Sequence, residues 1–180
     1  MRVITGKARG IQLKTPEGML TRPTADRVKE ALFSIINFDS PDASVLDLFG
    51  GTGQLGIEAL SRGARLAVFV DSREEACALI RENLKKTRLA ANGRVVRSDY
   101  MDYSSRCSEQ FSIIFLDPPY AEEYLENAIR RIVEIDILQS DGIIVTERPL
   151  GKDFSLEFEG YRRSRDYKYG KTLLAIYRKG

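Results

Sequence analysis

The sequence contains no histidine. Ser-His-Asp and Cys-His nucleophilic catalysis and histidine-ligated zinc are thereby excluded, and most hydrolase and deaminase chemistry goes with them. Cysteine is nearly absent as well. Cys77 and Cys107 form no Cys-x-x-Cys and read as reduced structural thiols of a cytosolic protein. The opening Met1-Arg2-Val3-Ile4-Thr5-Gly6-Lys7 lacks the apolar stretch of a signal peptide, and no run elsewhere approaches a membrane span. A soluble cytoplasmic protein without membrane contact is expected. Repeats and low-complexity segments are missing too, and 180 residues suit one well-buried domain better than two.

Charge is plentiful, but its sum says little. The formal net charge is +2, yet residues 1–31 hold seven Lys/Arg against three Asp/Glu, and residues 160–180 hold seven against one. The centre therefore holds fourteen basic and twenty-two acidic residues, so a polyanion is expected to be gripped by the ends of the chain. Solubilising surface charge is the alternative reading.

Two motifs carry chemistry. The first is Asp117-Pro118-Pro119-Tyr120, directly after the apolar run Ile113-Ile114-Phe115-Leu116. That run reads as a buried parallel strand, and ligands of open α/β sheets bind at such C-terminal strand ends. A carboxylate beside a flat ring suits a planar nucleobase with an exocyclic amine; a plain strand-ending turn would also use Asp and Pro. The second is Val45-Leu46-Asp47-Leu48-Phe49-Gly50-Gly51-Thr52-Gly53-Gln54-Leu55-Gly56, where Gly51, Gly53 and Gly56 complete G-x-G-x-x-G before a helical segment. Asp71 closes the next apolar strand 18 residues after Gly53, a spacing that presents an acid to a ribose. A nicotinamide dinucleotide or S-adenosylmethionine would both fit. Asp47, four residues before Gly51, favours the second, because a carboxylate repels a pyrophosphate and attracts an ammonium or sulfonium.

Short apolar runs at Val45–Phe49, Leu66–Val70, Arg94–Arg97, Ser112–Leu116 and Gly142–Glu147 read as parallel strands, with helical periodicity over Arg73–Arg88 and Glu122–Ile135. This βαβ alternation predicts a doubly wound α/β sheet with helices on both faces. Alternation from Phe154 to Phe158, and the apolar Lys171–Tyr177, suggest a terminal antiparallel hairpin. At the front, Arg2–Thr5 and Gly10–Lys14 look like a small basic hairpin. A helix then opens with Thr24 as its N-cap and Val28, Ala31, Leu32, Ile35 and Ile36 on one face. Arg22 and Arg27 are disfavoured near a helix start by its dipole, so they are read as anion contacts, with surface decoration as the alternative.

Taken together, Gly6-Lys7-Ala8-Arg9-Gly10, Arg22-Pro23-Thr24-x-Asp26-Arg27-Val28, the Asp47 to Ala59 segment, Asp117-Pro118-Pro119-Tyr120 and the strand-ending Glu147 resemble the bacterial 16S rRNA (guanine-N2)-methyltransferases of the RsmD type over essentially the whole chain. Gly50 stands where that family usually has a small residue such as Ala. The resemblance implies a Rossmann-like class I methyltransferase: a seven-stranded, mostly parallel sheet with a C-terminal antiparallel hairpin. Residues 1–40 would form a basic hairpin and helix extension, and residues 41–180 the methyltransferase domain.

S-adenosylmethionine would be the donor, with no metal. The acceptor would be one guanine of 16S rRNA, in the small ribosomal subunit or an assembly intermediate, and the chain is expected to act as a monomer. On this sequence, catalysis falls to Asp117, Pro118 and Tyr120, and donor binding to Asp47, Phe49, Gly51, Gly53, Asp71, Ser72, Asp99 and Tyr100. Asp99 is expected at the donor's adenine amine, a strand-end turn being the other reading. RNA contacts are expected from Arg2, Lys7, Arg9, Arg22 and Arg27 in front, and from Lys168 and Lys171 with Arg162, Arg163 and Arg165 behind. The Asp117 motif alone would also serve an adenine-N6 methyltransferase, and the glycine loop alone a non-catalytic nucleotide-binding protein.

Overall fold

The computed structural model describes residues 1–16, 23–118, 122–150, 158–164 and 166–180. Helix α1 (Pro23–Ile35) precedes an alternating series: β1 (Ser44–Asp47), α2 (Gln54–Ser61), β2 (Leu66–Asp71), α3 (Glu74–Lys86), β3 (Gly93–Arg97), α4 (Tyr100–Arg106), β4 (Phe111–Leu116), α5 (Glu122–Ile135) and β5 (Leu138–Pro149). Three antiparallel strands follow, β6 (Tyr161–Arg163), β7 (Tyr167–Tyr169) and β8 (Thr172–Lys179). The sheet order is β3-β2-β1-β4-β5-β8-β6, with β7 also on β8. Because β6 pairs with Tyr177–Lys179 and β7 with Thr172–Leu174, the two divide one edge position between them. The expected seven-stranded sheet is thus present with its last strand interrupted.

Strand order reverses between β1 and β4, whose parallel pairing sets Asp47 opposite Phe115. Such a reversal leaves a crevice outside the carboxyl ends of the strands. Both strands are buried on both faces, which explains their unbroken apolar runs. Alternate side chains feed two cores. Val45, Phe69, Phe115 and Val145 pack with α1, α2, α3 and the N-terminal hairpin; Leu46, Val70, Leu116 and Ile144 pack with α4 and α5. Helix α3 shows why it is a helix: Glu74 and Glu75 occupy its first turn and Lys85 and Lys86 its last, matching the helix dipole.

Three local expectations are corrected. Helix α1 starts at Pro23, so Thr24 is its second residue rather than its cap; proline's fixed φ and missing N–H suit the first helical position. The front hairpin carries a single bridge, Arg2 to Gln12, rather than two full strands: Val3, Gly10 and Leu13 N–H bond across it, but those of Ile4, Thr5, Lys7 and Ala8 turn to α2. Strand β5 begins at Leu138 rather than Gly142, with a register shift against β4 between Phe111 and Ile113. The shift lets buried Leu138 pair while polar Gln139 to Asp141 loop outwards. Of the Phe154 to Phe158 alternation, only Phe158 lies among the described residues.

Candidate active site

From the end of β1 the chain turns through Gly50 to Gly53 into α2. Gly51 and Gly53 have φ of 55° and 77°, the left-handed region that glycine enters without strain. At Gly56 a Cβ would meet the Phe69 ring at 2.3 Å, so the helix lies on β2 only because the side chain is missing. Four of the loop's backbone donors are already occupied. Gly50 N–H bonds to the Val70 carbonyl (2.8 Å), Gly51 N–H to Asp71 Oδ2 (2.9 Å), Gly53 N–H to the Gly50 carbonyl (2.7 Å) and Gly56 N–H to Asp47 Oδ2 (3.2 Å). A pyrophosphate cradle needs such donors free. With four of them taken, two by carboxylates, the loop fits a ligand without phosphate and with positive charge.

Asp47 is buried, and loss of hydration pushes its carboxyl up to about 8, against the Gly56 N–H and with the help of Asp117 and Asp71. A cationic ligand would restore its charge. Burial works in the same direction at Asp71, but there the Arg73 side chain and the Arg73 and Gly51 N–H groups overcome it and hold the carboxyl below its usual range. Its Oδ1 accepts from Arg73 N–H at 3.0 Å and Nε at 3.2 Å, and its Oδ2 from Arg73 Nη2 at 3.2 Å. The oxygens expected to meet a ribose are therefore engaged by an exposed arginine that sequence reading passed over.

Phe49 and Tyr100 are brought together, ring centroids 5.3 Å apart, and Tyr100 meets half-exposed Tyr124 edge-on at 5.9 Å. These rings form a wall beside the loop. Asp99 is the N-cap of α4, its Oδ1 accepting the Met101 N–H at 2.8 Å, so one carboxylate oxygen has the turn role. Ser72 is exposed, and its carbonyl accepts from Arg97 Nε at 3.4 Å.

Across the crevice, Asp117 follows β4 and Pro118 is half-buried. Leu116 pairs with Thr146, which sets Asp117 level with Glu147 at the end of the neighbouring strand. Strand alternation puts both on the face of Phe115 and Val145, the face of Asp47. Asp117 still reaches solvent, but the strand ends strip enough of its water to push the carboxyl up to about 6. Glu147 is pushed up to about 8 by loss of hydration and by the charge of Asp117. Like charges this close do not both ionise at neutral pH. Glu147 belonged to the resemblance and not to the expected site; its place at a strand end was the signal for it. Tyr120 lies outside the described residues.

The basic ends are only partly gathered. Lys168 lies on β7 and Lys171 in the β7–β8 turn, and Thr172 pairs with Pro149, so these lysines lie at the same sheet edge as Glu147. Arg162 and Arg163 pair with Arg178 and Tyr177 of β8, whereas Glu147 pairs with Leu174. Three to four residues along β8 is roughly 10–13 Å, so these two do not flank Asp117. At the front, Arg2 lies against Asp26, and Arg27 is exposed near the start of α1. Lys7 and Arg9 occupy the hairpin turn, which is fastened to the far end of α2 by Lys7 N–H to the Ser61 carbonyl at 2.8 Å. Helix α2 is about 12 Å long, so they sit one helix length from the glycine loop. Arg22 and Arg165 lie outside the described residues.

The hairpin is anchored by a residue unreadable from local pattern. Glu58 on α2 is wholly buried and accepts the Ile4 and Thr5 N–H groups at 2.8 and 3.0 Å, with Arg62 at 2.9 Å and Lys29 at 3.7 Å. Burial pulls the Lys29 ammonium below its usual range, although Glu58 and Asp26 pull it up.

Strand order, glycine loop and facing acids define a class I methyltransferase fold. A family model described as "Conserved hypothetical protein 95" matches residues 1–178, and the chain belongs to that family, the RsmD type that the motifs resemble. It is 39% identical to YlbH of Bacillus subtilis (strain 168), over 99% of each chain. It is 31% identical to "Ribosomal RNA small subunit methyltransferase D" of Escherichia coli (strain K12), over 99% of this chain and 90% of that one. The solved structure of yhhF from Escherichia coli superposes with a TM-score of 0.90 at 31% identity, over 99% of this chain and 97% of that one.

Proposed function

We propose that this protein transfers a methyl group from S-adenosylmethionine to the N2 amine of a guanine in small-subunit ribosomal RNA. The observation that carries this reading is the pairing, across one crevice, of a loop whose Gly56 and Gly51 N–H groups are closed by Asp47 and Asp71 with a second acidic pair, Asp117 and Glu147. The Escherichia coli relative's name supports small-subunit ribosomal RNA as the acceptor, and the choice of guanine over adenine rests on the resemblance of the motifs to the guanine-N2 enzymes. Asp47, Gly51, Gly53, Asp71 and Ser72 would line the methionine and ribose, and Phe49, Asp99 and Tyr100 the adenine.

The donor supplies an electrophilic methyl on a sulfonium. The guanine amine is a poor nucleophile, its lone pair delocalised into the ring. The Asp117 carboxylate and the Pro118 carbonyl accept hydrogen bonds from its two N–H groups and favour a pyramidal nitrogen, and Tyr120 stacks on the base. A base inside a helix cannot reach the crevice, so the nucleotide is unpaired or extruded. Once the nitrogen carries the methyl it must lose a proton, and the ionised member of the Asp117–Glu147 pair accepts it.

Arg2, Lys7, Arg9, Arg22, Arg27, Lys168 and Lys171 hold phosphate and position the RNA without reading it. The chain acts as a monomer in the cytoplasm, on the small subunit or a precursor; no helix among the described residues is long and apolar enough to cross a membrane. The test is to incubate the protein with labelled donor and undermethylated small subunits and digest the RNA to nucleosides. Label in N2-methylguanosine at one position is expected; label in N6-methyladenosine would replace this reading with its rival.

A further inference from the structure

Asn83 is a polar residue in a stripe that should be apolar. The inward positions of α3 run Ala76, Cys77, Ile80, Asn83 and Leu84, and Asn83 has no exposed surface. A buried carboxamide is costly unless bonded, so its partners indicate its use. Its Oδ1 accepts the Lys14 N–H at 2.7 Å, and its Nδ2 donates to the Lys14 carbonyl and to the Thr52 carbonyl, both at 3.0 Å. Both amide protons and the oxygen are thus used. Thr52 lies between Gly51 and Gly53 in the loop, and Lys14 is where the chain leaves the N-terminal hairpin. One side chain on a third element therefore bolts the two segments together. A weaker contact joins the same pair, from Thr52 Oγ1 to Met1 Sδ at 3.4 Å.

We infer that Asn83 is a positioning residue that registers the N-terminal hairpin against the donor loop, so that donor and RNA raise each other's affinity. The inference rests on the function proposed above, with the loop on the donor and the hairpin on RNA. A ligand that fixes the loop fixes the Thr52 carbonyl, and through Asn83 it fixes the Lys14 backbone. The hairpin is then already placed for its phosphates, and linkage makes the effect reciprocal.

The test measures affinity for labelled S-adenosylhomocysteine with and without saturating small ribosomal subunits. In the native chain the subunits should tighten binding by about fivefold or more, the usual scale of coupling between sites. Asn83→Asp keeps shape and acceptor but loses both donors. Lys14→Pro deletes the N–H that Oδ1 accepts and leaves α3 and the loop untouched. In both variants the ratio should fall towards one, while Lys14→Ala, which keeps the backbone N–H, retains it. A merely structural role would lower the melting temperature and leave the ratio alone. A native ratio in a folded Asn83→Asp or Lys14→Pro variant overturns the inference, as does a ratio of one in a native chain that binds both ligands. A native chain that binds neither would overturn the proposed function, and this inference with it.

Discussion

Around the glycine loop most polar side chains are satisfied by the fold, Asp47 on Gly56, Asp71 on Gly51 and Arg73, Asn83 on Thr52, with Glu58 closing the hairpin behind, and buried Gln54 Oε1 is the exception. At the ends of β4 and β5 the opposite holds. Asp117 and Glu147 stand level on one face, both pushed upwards in pKa, with no cation paired to either among the described residues. The loop side is largely finished by the fold; the acid side is left for a substrate to finish. Substitutions in the first region should therefore cost stability or donor affinity, and those in the second should cost rate.

The largest effect is expected at Glu58. Glu58→Ala leaves the buried Lys29 ammonium, still bonded to the Arg2 carbonyl, without its paired carboxylate and removes the acceptor of two hairpin N–H groups. Stability should fall by about 3–5 kcal/mol, the scale for breaking a buried ion pair. Denaturant unfolding checks it, and a loss under about 1 kcal/mol would mean the hairpin holds itself. Next comes Asp71→Ala, expected to weaken S-adenosylhomocysteine binding by about 1.5–3 kcal/mol, the worth of hydrogen bonds to a charged group. Unchanged affinity by calorimetry would remove Asp71 from the donor site.

Proton linkage sharpens the same comparison. The Asp47 carboxyl is raised in the fold from its ordinary 3.8 to about 8, so within that window the folded chain holds a proton that the unfolded chain has lost. This group's contribution therefore lowers stability as pH climbs from about 4 to about 8, and Asp47→Asn should flatten that decline. A cationic donor favours the ionised carboxylate, so its affinity should rise over the upper part of the window, by up to about tenfold per pH unit. Calorimetry at several pH values checks both signs; affinity independent of pH would mean that Asp47 does not meet the donor's charge. The smallest effect concerns Arg73, which occupies both Asp71 oxygens from an exposed position. Arg73→Ala should tighten donor binding slightly, by about 0.2–1 kcal/mol, the worth of an exposed ion pair removed from competition. Weaker binding would instead make Arg73 a donor contact.

The two regions also differ in how they could be read from sequence. Strand ends were legible: Asp47, Asp71 and Asp117 each follow an apolar run, and period and length place them at the carboxyl edge. The glycine loop was legible because φ above zero and close helix packing restrict residue choice. Glu58 and Asn83 were not read as anchors, because each bonds to backbone more than fifty residues away and a buried polar residue on a helix has no periodic signature. For Asp99 the turn role was one of two readings that sequence leaves open, and for Arg73 on Asp71 there was none, although both are local contacts: an acid at a strand end suits a turn, an ion pair and a ligand equally well. The split between β6 and β7 depends on pairing with β8, which apolar alternation cannot specify in so short a segment.

The central claim is that Asp117 serves the reaction while the loop serves the donor, and one variant tests both halves. In Asp117→Ala, S-adenosylhomocysteine affinity should stay within a few-fold of native, because Asp117 touches none of the loop's bonds. Single-turnover methyl transfer to undermethylated small subunits should fall about a hundredfold or more, the scale of losing one preorganised polar group. A folded Asp117→Ala protein that transfers methyl at near-native rate, or one that loses donor binding in step with rate, would contradict the account.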